Sequence, residues 1–312
     1  MKDLLRTADL RRADLHELLE LAALAKARPL RWHDQLTGRT VVLYFAKPST
    51  RTRISSETAV TRLGGTPLSV GPTELQLGRG ETIEDTAKVL SAYAAAIVIR
   101  TYADDDVHRL AAAAHVPVIN ALTDGHHPLQ SITDVFTLTE IFGDLHGRKL
   151  AYVGAGNNVT HSLLEACALL GMDIAVATPP GYEPDPIIVA DAEKLAADSG
   201  TAIHIGHDPA VAAQGASALY TDVWLSMGDA PETKAARLAA LAPFRVTPEL
   251  MALARPDAVF LHCLPAHRGE EVSAEVIDGP AAHVFAQAAN RLPVAQAVLH
   301  ALVADRLGGV TP

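Results

Sequence analysis

At 312 residues, with 49% hydrophobic and 20% charged side chains, the chain is long enough for two domains and too apolar to be disordered. Its 26 Lys and Arg against 36 Asp and Glu give a formal net charge of −10, a field that repels nucleic acid and anionic membranes, so any anionic ligand needs a local Arg cluster. Cys167 and Cys263 make no disulfide framework, and neither a signal-peptide core after Met1 nor an 18-residue apolar span occurs, so a cytoplasmic protein is expected.

Strand-like apolar runs fall at 40–45, 67–70, 96–100, 117–120, 149–153, 173–177, 201–205, 218–221 and 258–262. Helix-period segments lie between most of them, among them 51–63, 82–93, 131–142 and 158–170. This alternation predicts an α/β protein with mostly parallel sheets flanked by helices. Gly143 and Gly147 bracket a polar turn before a fresh strand, which divides the chain into a first domain, 1–143, and a second, 144–282. A last helix from 283 has apolar residues at helical spacing and is expected to pack back on the first domain, which then includes 283–312.

In chain order, the first motif is Pro48-Ser49-Thr50-Arg51-Thr52-Arg53, directly after the first strand. A strand, a short polar turn and a helix start leave free backbone N–H groups at the dipole's positive end, which favours an anion. Ser49, Thr50 and Thr52 add hydroxyl donors and Arg51 a planar fork suited to phosphate, while Arg53 pairs with Glu57 one turn on. Arg100 closes an otherwise apolar strand, where it suits either an anion crevice or a surface ion pair. His127-Pro128-Leu129-Gln130 forms a strand-to-helix turn at a sheet's carboxyl edge, a place where His can donate to an oxyanion and Gln can recognise an amide.

Gly154-Ala155-Gly156 after the strand at 149–153 suggests a dinucleotide turn, but Val159 replaces the third glycine and no acid ends the next strand. The turn serves equally to expose Asn158. Asp222 follows a strand and suits an ammonium, with Ser226-Met227-Gly228 as a loop beyond it. Cys263, in His262-Cys263-Leu264-Pro265, suits a nucleophile, a metal ligand or a polar contact. No partner set for a nucleophile is evident, zinc at His262, Cys263 and His267 lacks a fourth ligand, and a buried strand-end cysteine is the simplest alternative.

Taken together, Ser49 through Arg53, Gln76-Leu77-Gly78-Arg79-Gly80-Glu81-Thr82, His127 through Gln130, Asp222 with Ser226-Met227-Gly228, His262 through Pro265 and Asn290-Arg291 resemble the aspartate/ornithine carbamoyltransferase family, in order over nearly the whole chain. Asp222 with Ser226-Met227-Gly228 points to the ornithine branch. The resemblance implies carbamoyl transfer from carbamoyl phosphate to L-ornithine, with no metal or organic cofactor, in a homotrimer or multiple of trimers with shared active sites. It assigns carbamoyl phosphate to Ser49, Thr50, Arg51, Thr52, Arg100, His127, Gln130, Arg291 and the backbone of Cys263 and Leu264, with Gln76 reaching a neighbouring subunit. It assigns ornithine to Asn158, Asp222, Ser226 and Met227, and catalysis to Arg100, His127, Asp222 and Cys263. Departures from the family pattern are Ala46 for an acid, Ser56 for Phe, Leu129 for Cys, Ala155 for Asp and Ala289 for Glu. The alternatives are a relative acting on another amine and a non-catalytic relative.

Overall fold

The computed structural model describes residues 1–77, 79–225, 234–305 and 307. The chain divides into two compact units, Met1–Phe136 with Asn290–Pro312, and Thr137–Ala289.

The first unit contains α1 (Arg12–Ala27), β1 (Thr40–Phe45), α2 (Arg51–Arg62), β2 (Thr66–Val70), α3 (Ile83–Tyr93), β3 (Ala94–Arg100), α4 (Asp104–Ala113), β4 (Val118–Leu122) and the start of α5 (Pro128–Phe142). Its four strands pair in parallel in the order β2-β1-β3-β4. β1 and β3 are the central pair, and their near-continuous apolar runs suit strands covered on both faces. Ile97, Ile99, Val107, Leu110 and Val118 pack one side of this sheet into a core.

The second unit contains β5 (Lys149–Val153), α6 (Asn158–Leu170), β6 (Asp173–Ala177), α7 (Pro186–Ser199), β7 (Ile203–Gly206), α8 (Pro209–Ala213), β8 (Ala218–Thr221), α9 (Lys234–Leu241), α10 (Pro248–Met251), β9 (Val259–His262), α11 (Ala274–Ile277) and the start of α12 (Val284–Val303). Its parallel order is β7-β6-β5-β8-β9, over a core that includes Val153, Leu219, Phe260 and Ile277.

From Asn290 onward α12 belongs to the first unit. There Lys26 Nζ donates to Asn290 Oδ1 at 2.9 Å, Gln296 Nε2 to the Pro29 carbonyl at 2.8 Å, and His300 stacks on Trp32 with ring centroids 4.0 Å apart. Ser56, where the family favours Phe, is buried against Val98, Ile119 and Leu129, with Ala295, Val298 and Leu299 of α12 opposite.

Two boundaries differ from the sequence reading in ways that matter. α5 starts at Pro128 rather than 131, because proline's fixed φ suits the first helical position and its missing N–H costs nothing there. β3 starts at Ala94, directly after α3, because the chain turns extended at the last residue of the helix pattern with no intervening loop.

The Gly154-Ala155-Gly156 turn has a packing explanation. Gly156 N–H donates to the Tyr182 carbonyl at 2.7 Å, and a Cβ at Gly156 would lie 2.3 Å from the Pro184 nitrogen. The glycine therefore permits backbone-on-backbone contact with 182–184. Gly156→Ala is expected to destabilise the protein by about 1–3 kcal/mol through overpacking. Urea unfolding followed by far-UV circular dichroism checks this, and an unchanged midpoint would refute it.

Candidate active site

Both sheets reverse direction of strand order once, and ligands in open parallel sheets bind beyond the carboxyl ends of strands at such points. In the first unit the reversal lies between β1 and β3, in the second between β5 and β8. The candidate residues follow these strands: Ser49 through Thr52 after β1, Arg100 at the end of β3, His127 after β4, Asn157 and Asn158 after β5, Asp222 after β8, and Cys263 after β9.

In the first unit the organising group is Arg291, on α12 and only 3% exposed. Its Nη2 donates to Thr52 Oγ1 at 2.8 Å, and its Nη1 donates to Gln130 Oε1 and approaches His127 Nε2 at 3.4 Å. Thus α2, α5 and α12 contribute to one buried polar cluster. Thr50 precedes α2 as its cap residue, Arg51 opens the helix, and Thr52 is buried. Ser49 and Arg51 are half-buried, and Thr50 is exposed. Arg100 is buried at the sheet edge. Gln76 is exposed on the loop between β2 and α3. Arg53 donates to Glu57 at 2.9 Å, and Glu57 also accepts from Ser69 at 2.5 Å, so Glu57 ties α2 to β2 and Arg53 holds it from within the helix.

His127 is held well below its ordinary pKa, first by burial and then by the positive charges of Arg291, Arg100 and Arg51. It is therefore a neutral imidazole at neutral pH. A guanidinium only donates, so the contact with Arg291 makes Nε2 the acceptor and leaves the proton on Nδ1. The neutral ring is a compatible neighbour for three cations, and its N–H remains a donor.

In the second unit Asp222 is the centre. Its Oδ1 accepts from Cys263 Sγ at 2.9 Å and from the Val223 N–H at 2.8 Å, and its Oδ2 accepts from Asn157 Nδ2 at 2.7 Å. Asn157 is a residue that the sequence reading misses. It caps α6 by accepting from the N–H groups of Val159 and Thr160, at 3.0 and 3.1 Å, and uses its other amide end on Asp222. The signal is present as Asn at a strand-to-helix turn with Thr three residues on. Asn158 is the first residue of α6 and half-buried. Ser226 and Met227 lie outside the described residues.

Behind Cys263, His262 is fully buried and both ring nitrogens are engaged. Nδ1 accepts from the Leu264 N–H at 2.8 Å, and Nε2 meets Glu271 Oε1 at 3.2 Å. The His262 N–H in turn donates to Gln287 Oε1 at 3.0 Å, and Gln287 Nε2 donates to the Tyr220 hydroxyl at 3.2 Å. These bonds fix Leu264, whose φ of 59° is uncommon for a non-glycine residue. Among the described residues, two groups bring enough donor atoms together to hold a metal, Asp222-His262-Cys263 and His267-Glu270-Glu271. A metal on the first would have to displace the Leu264 or Glu271 bond from His262.

The family model "Aspartate/ornithine carbamoyltransferase, carbamoyl-P binding domain" matches residues 2–140, and "Aspartate/ornithine carbamoyltransferase, Asp/Orn binding domain" matches 146–302. An ornithine carbamoyltransferase from Symbiobacterium thermophilum is 49% identical over 306 residues, covering 97% of this chain and 98% of the relative. One from Acidothermus cellulolyticus is 53% identical over 275 residues, 88% of each chain. The solved structure of ornithine carbamoyltransferase from Pyrococcus furiosus matches with a TM-score of 0.92 at 47% identity, covering 99% of this chain and 98% of that one. On these matches the chain belongs to the aspartate/ornithine carbamoyltransferase family.

Proposed function

We propose that this protein transfers the carbamoyl group of carbamoyl phosphate to the side-chain amine of L-ornithine, releasing L-citrulline and phosphate. The observation that carries this reading is the buried Arg291–Thr52–Gln130–His127 cluster, next to a helix start that begins with Arg51. Relatives at about half identity over nearly the full length bear the name ornithine carbamoyltransferase, which supports the same acceptor.

The phosphate is assigned to Ser49, Thr50, Arg51 and Thr52, where hydroxyls, a guanidinium and helix N–H groups converge on one anion. The carbonyl oxygen is assigned to Arg100, Thr52 and the His127 N–H. Donors held by the fold stabilise a developing oxyanion without reorganising. Arg291 and Gln130 complete the binding of the carbamoyl group. An alkyl ammonium has a pKa near 10.4, so presenting it as a neutral amine at pH 7 costs about 4–5 kcal/mol. Asp222 is assigned to that amine, together with Asn158, Ser226 and Met227 for the rest of ornithine. A carboxylate has about four acceptor positions, and among the described residues Asn157, Val223 and Cys263 donate to Asp222; a further position is assigned to the substrate. The Cys263 thiol acts as a donor that orients Asp222, not as a nucleophile. The amine attacks the carbonyl carbon, and phosphate departs from the Arg51 side.

A trimeric assembly of shared sites also belongs to this reading. Ile54, Leu68, Val89 and Tyr93 are exposed apolar side chains on α2, β2 and α3, suited to contact between copies, and Gln76 is exposed on the loop after β2. A cytosolic setting belongs to it too, supported by Cys167 and Cys263 standing as thiols rather than as a disulfide. No helix among the described residues is long and apolar enough to cross a membrane.

Three measurements test the reading. Purified protein given carbamoyl phosphate and a panel of amines is expected to form citrulline from ornithine. Product from a different amine would move the acceptor, and silence with all amines would sink the reading. Arg100→Ala should lower kcat by about 100- to 1000-fold, the effect of removing one preorganised donor. Light scattering should give a mass of three times the 32.9 kDa chain or a multiple of that, and a monomer would exclude shared sites.

A further expectation concerns pH. His127 has its folded pKa depressed, so on acidification the unfolded chain takes up the proton first, near pH 6.5, and this residue subtracts stability below that pH and none above it. Its imidazole NMR signals, assigned by their loss in His127→Gln, should stay unshifted from pH 8 to below 6. A normal titration near 6.5 would refute the neutral-donor role.

A further inference from the structure

α5 opens at Pro128, which puts Gln130 in its first turn and Asp134 one turn later on the same face. Asp134 is fully buried, and its Oδ1 accepts from Gln130 Nε2 at 2.7 Å. The opposite end of the same amide, Gln130 Oε1, accepts from Arg291 Nη1. An amide has one donor end and one acceptor end, a carboxylate oxygen accepts, and a guanidinium only donates. Only one of the two amide orientations satisfies both neighbours. The reverse orientation would set the NH2 group against Arg291 and the carbonyl against Asp134, and both hydrogen bonds would be broken.

We propose that Asp134 is a positioning residue that fixes Gln130 as a hydrogen-bond acceptor towards the ligand, so that the site distinguishes an acyl phosphate bearing NH2 from one bearing CH3. The Gln130 oxygen has two lone pairs. Arg291 occupies one, and the second accepts from the ligand's N–H. A methyl group offers nothing to that lone pair and strands it in a buried site. Without Asp134 the amide is held at one end only, and Arg291 alone is left to favour the acceptor orientation, with half of the orienting contacts gone. This assignment rests on the reading that Gln130 faces the carbamoyl group.

The test compares affinities for carbamoyl phosphate and acetyl phosphate, by calorimetry, in the wild type, Asp134→Asn, and the double variant Gln130→Glu with Asp134→Asn. Asparagine offers either an acceptor or a donor to Gln130, so it no longer selects the amide orientation. The wild type should prefer carbamoyl phosphate, and Asp134→Asn should lose about tenfold of that preference, the scale of one hydrogen bond. In the double variant the new carboxylate at position 130 accepts both from the asparagine introduced at position 134 and from Arg291. That restores an acceptor fixed from both sides and should restore the preference. Both ligands titrate the same folded fraction, so the ratio is insensitive to partial unfolding. A merely structural Asp134 would weaken both ligands together and leave the ratio unchanged, which overturns the proposal. So would a double variant that shows no recovery. Citrulline formation by the wild type, measured alongside, reports on the function separately: a preserved preference without citrulline would leave Asp134 assigned and the acceptor reading overturned.

Discussion

The first unit depends on one buried cation. Arg291 is almost wholly removed from solvent, and a guanidinium in that position is tolerated only when its donors are used. Thr52, Gln130 and His127 use them, and they come from separate stretches of chain. The arrangement is mutually enforcing. Burial first and the neighbouring cations second keep His127 neutral, the neutral imidazole is an acceptor Arg291 can use, and Asp134 behind Gln130 supports the same end of the amide that the guanidinium selects. These contacts gather positive charge locally in a chain whose net charge is −10.

The second unit is organised around the opposite charge, a carboxylate. Asp222 is buried, and it is held by Asn157, Cys263 and the Val223 N–H. Asn157 serves the fold and the site together, because one end of its amide caps α6 while the other steers Asp222. Cys263 reaches Asp222 from the end of β9, and the His262 ring, fixed by Glu271, holds the following backbone in place. Glu271 lies nine residues further along the chain, in a stretch between β9 and α11.

The glycine-rich turn after β5 shows why local pattern and local chemistry can part. Gly154-Ala155-Gly156 has the spacing of a phosphate-binding turn, but Gly156 is there because the 182–184 backbone presses on it. A sequence pattern records that a side chain is forbidden. It does not record whether a ligand or another stretch of chain forbids it.

The sequence by itself determined the alternation of strand and helix and the residue types at each strand end, because apolar period and turn chemistry are local properties. The strand positions and the Ser49–Arg53, His127–Gln130, Asp222 and Cys263 motifs were legible in that way. What only the tertiary structure decided is pairing: that Arg291 meets Thr52 and Gln130, that Asn157 bonds Asp222, and that Asp134 accepts from the Gln130 amide. Those partners come from strand order and helix packing, which bring together residues as far apart as 52 and 291, and no local periodicity encodes which donor will find which acceptor across such a separation.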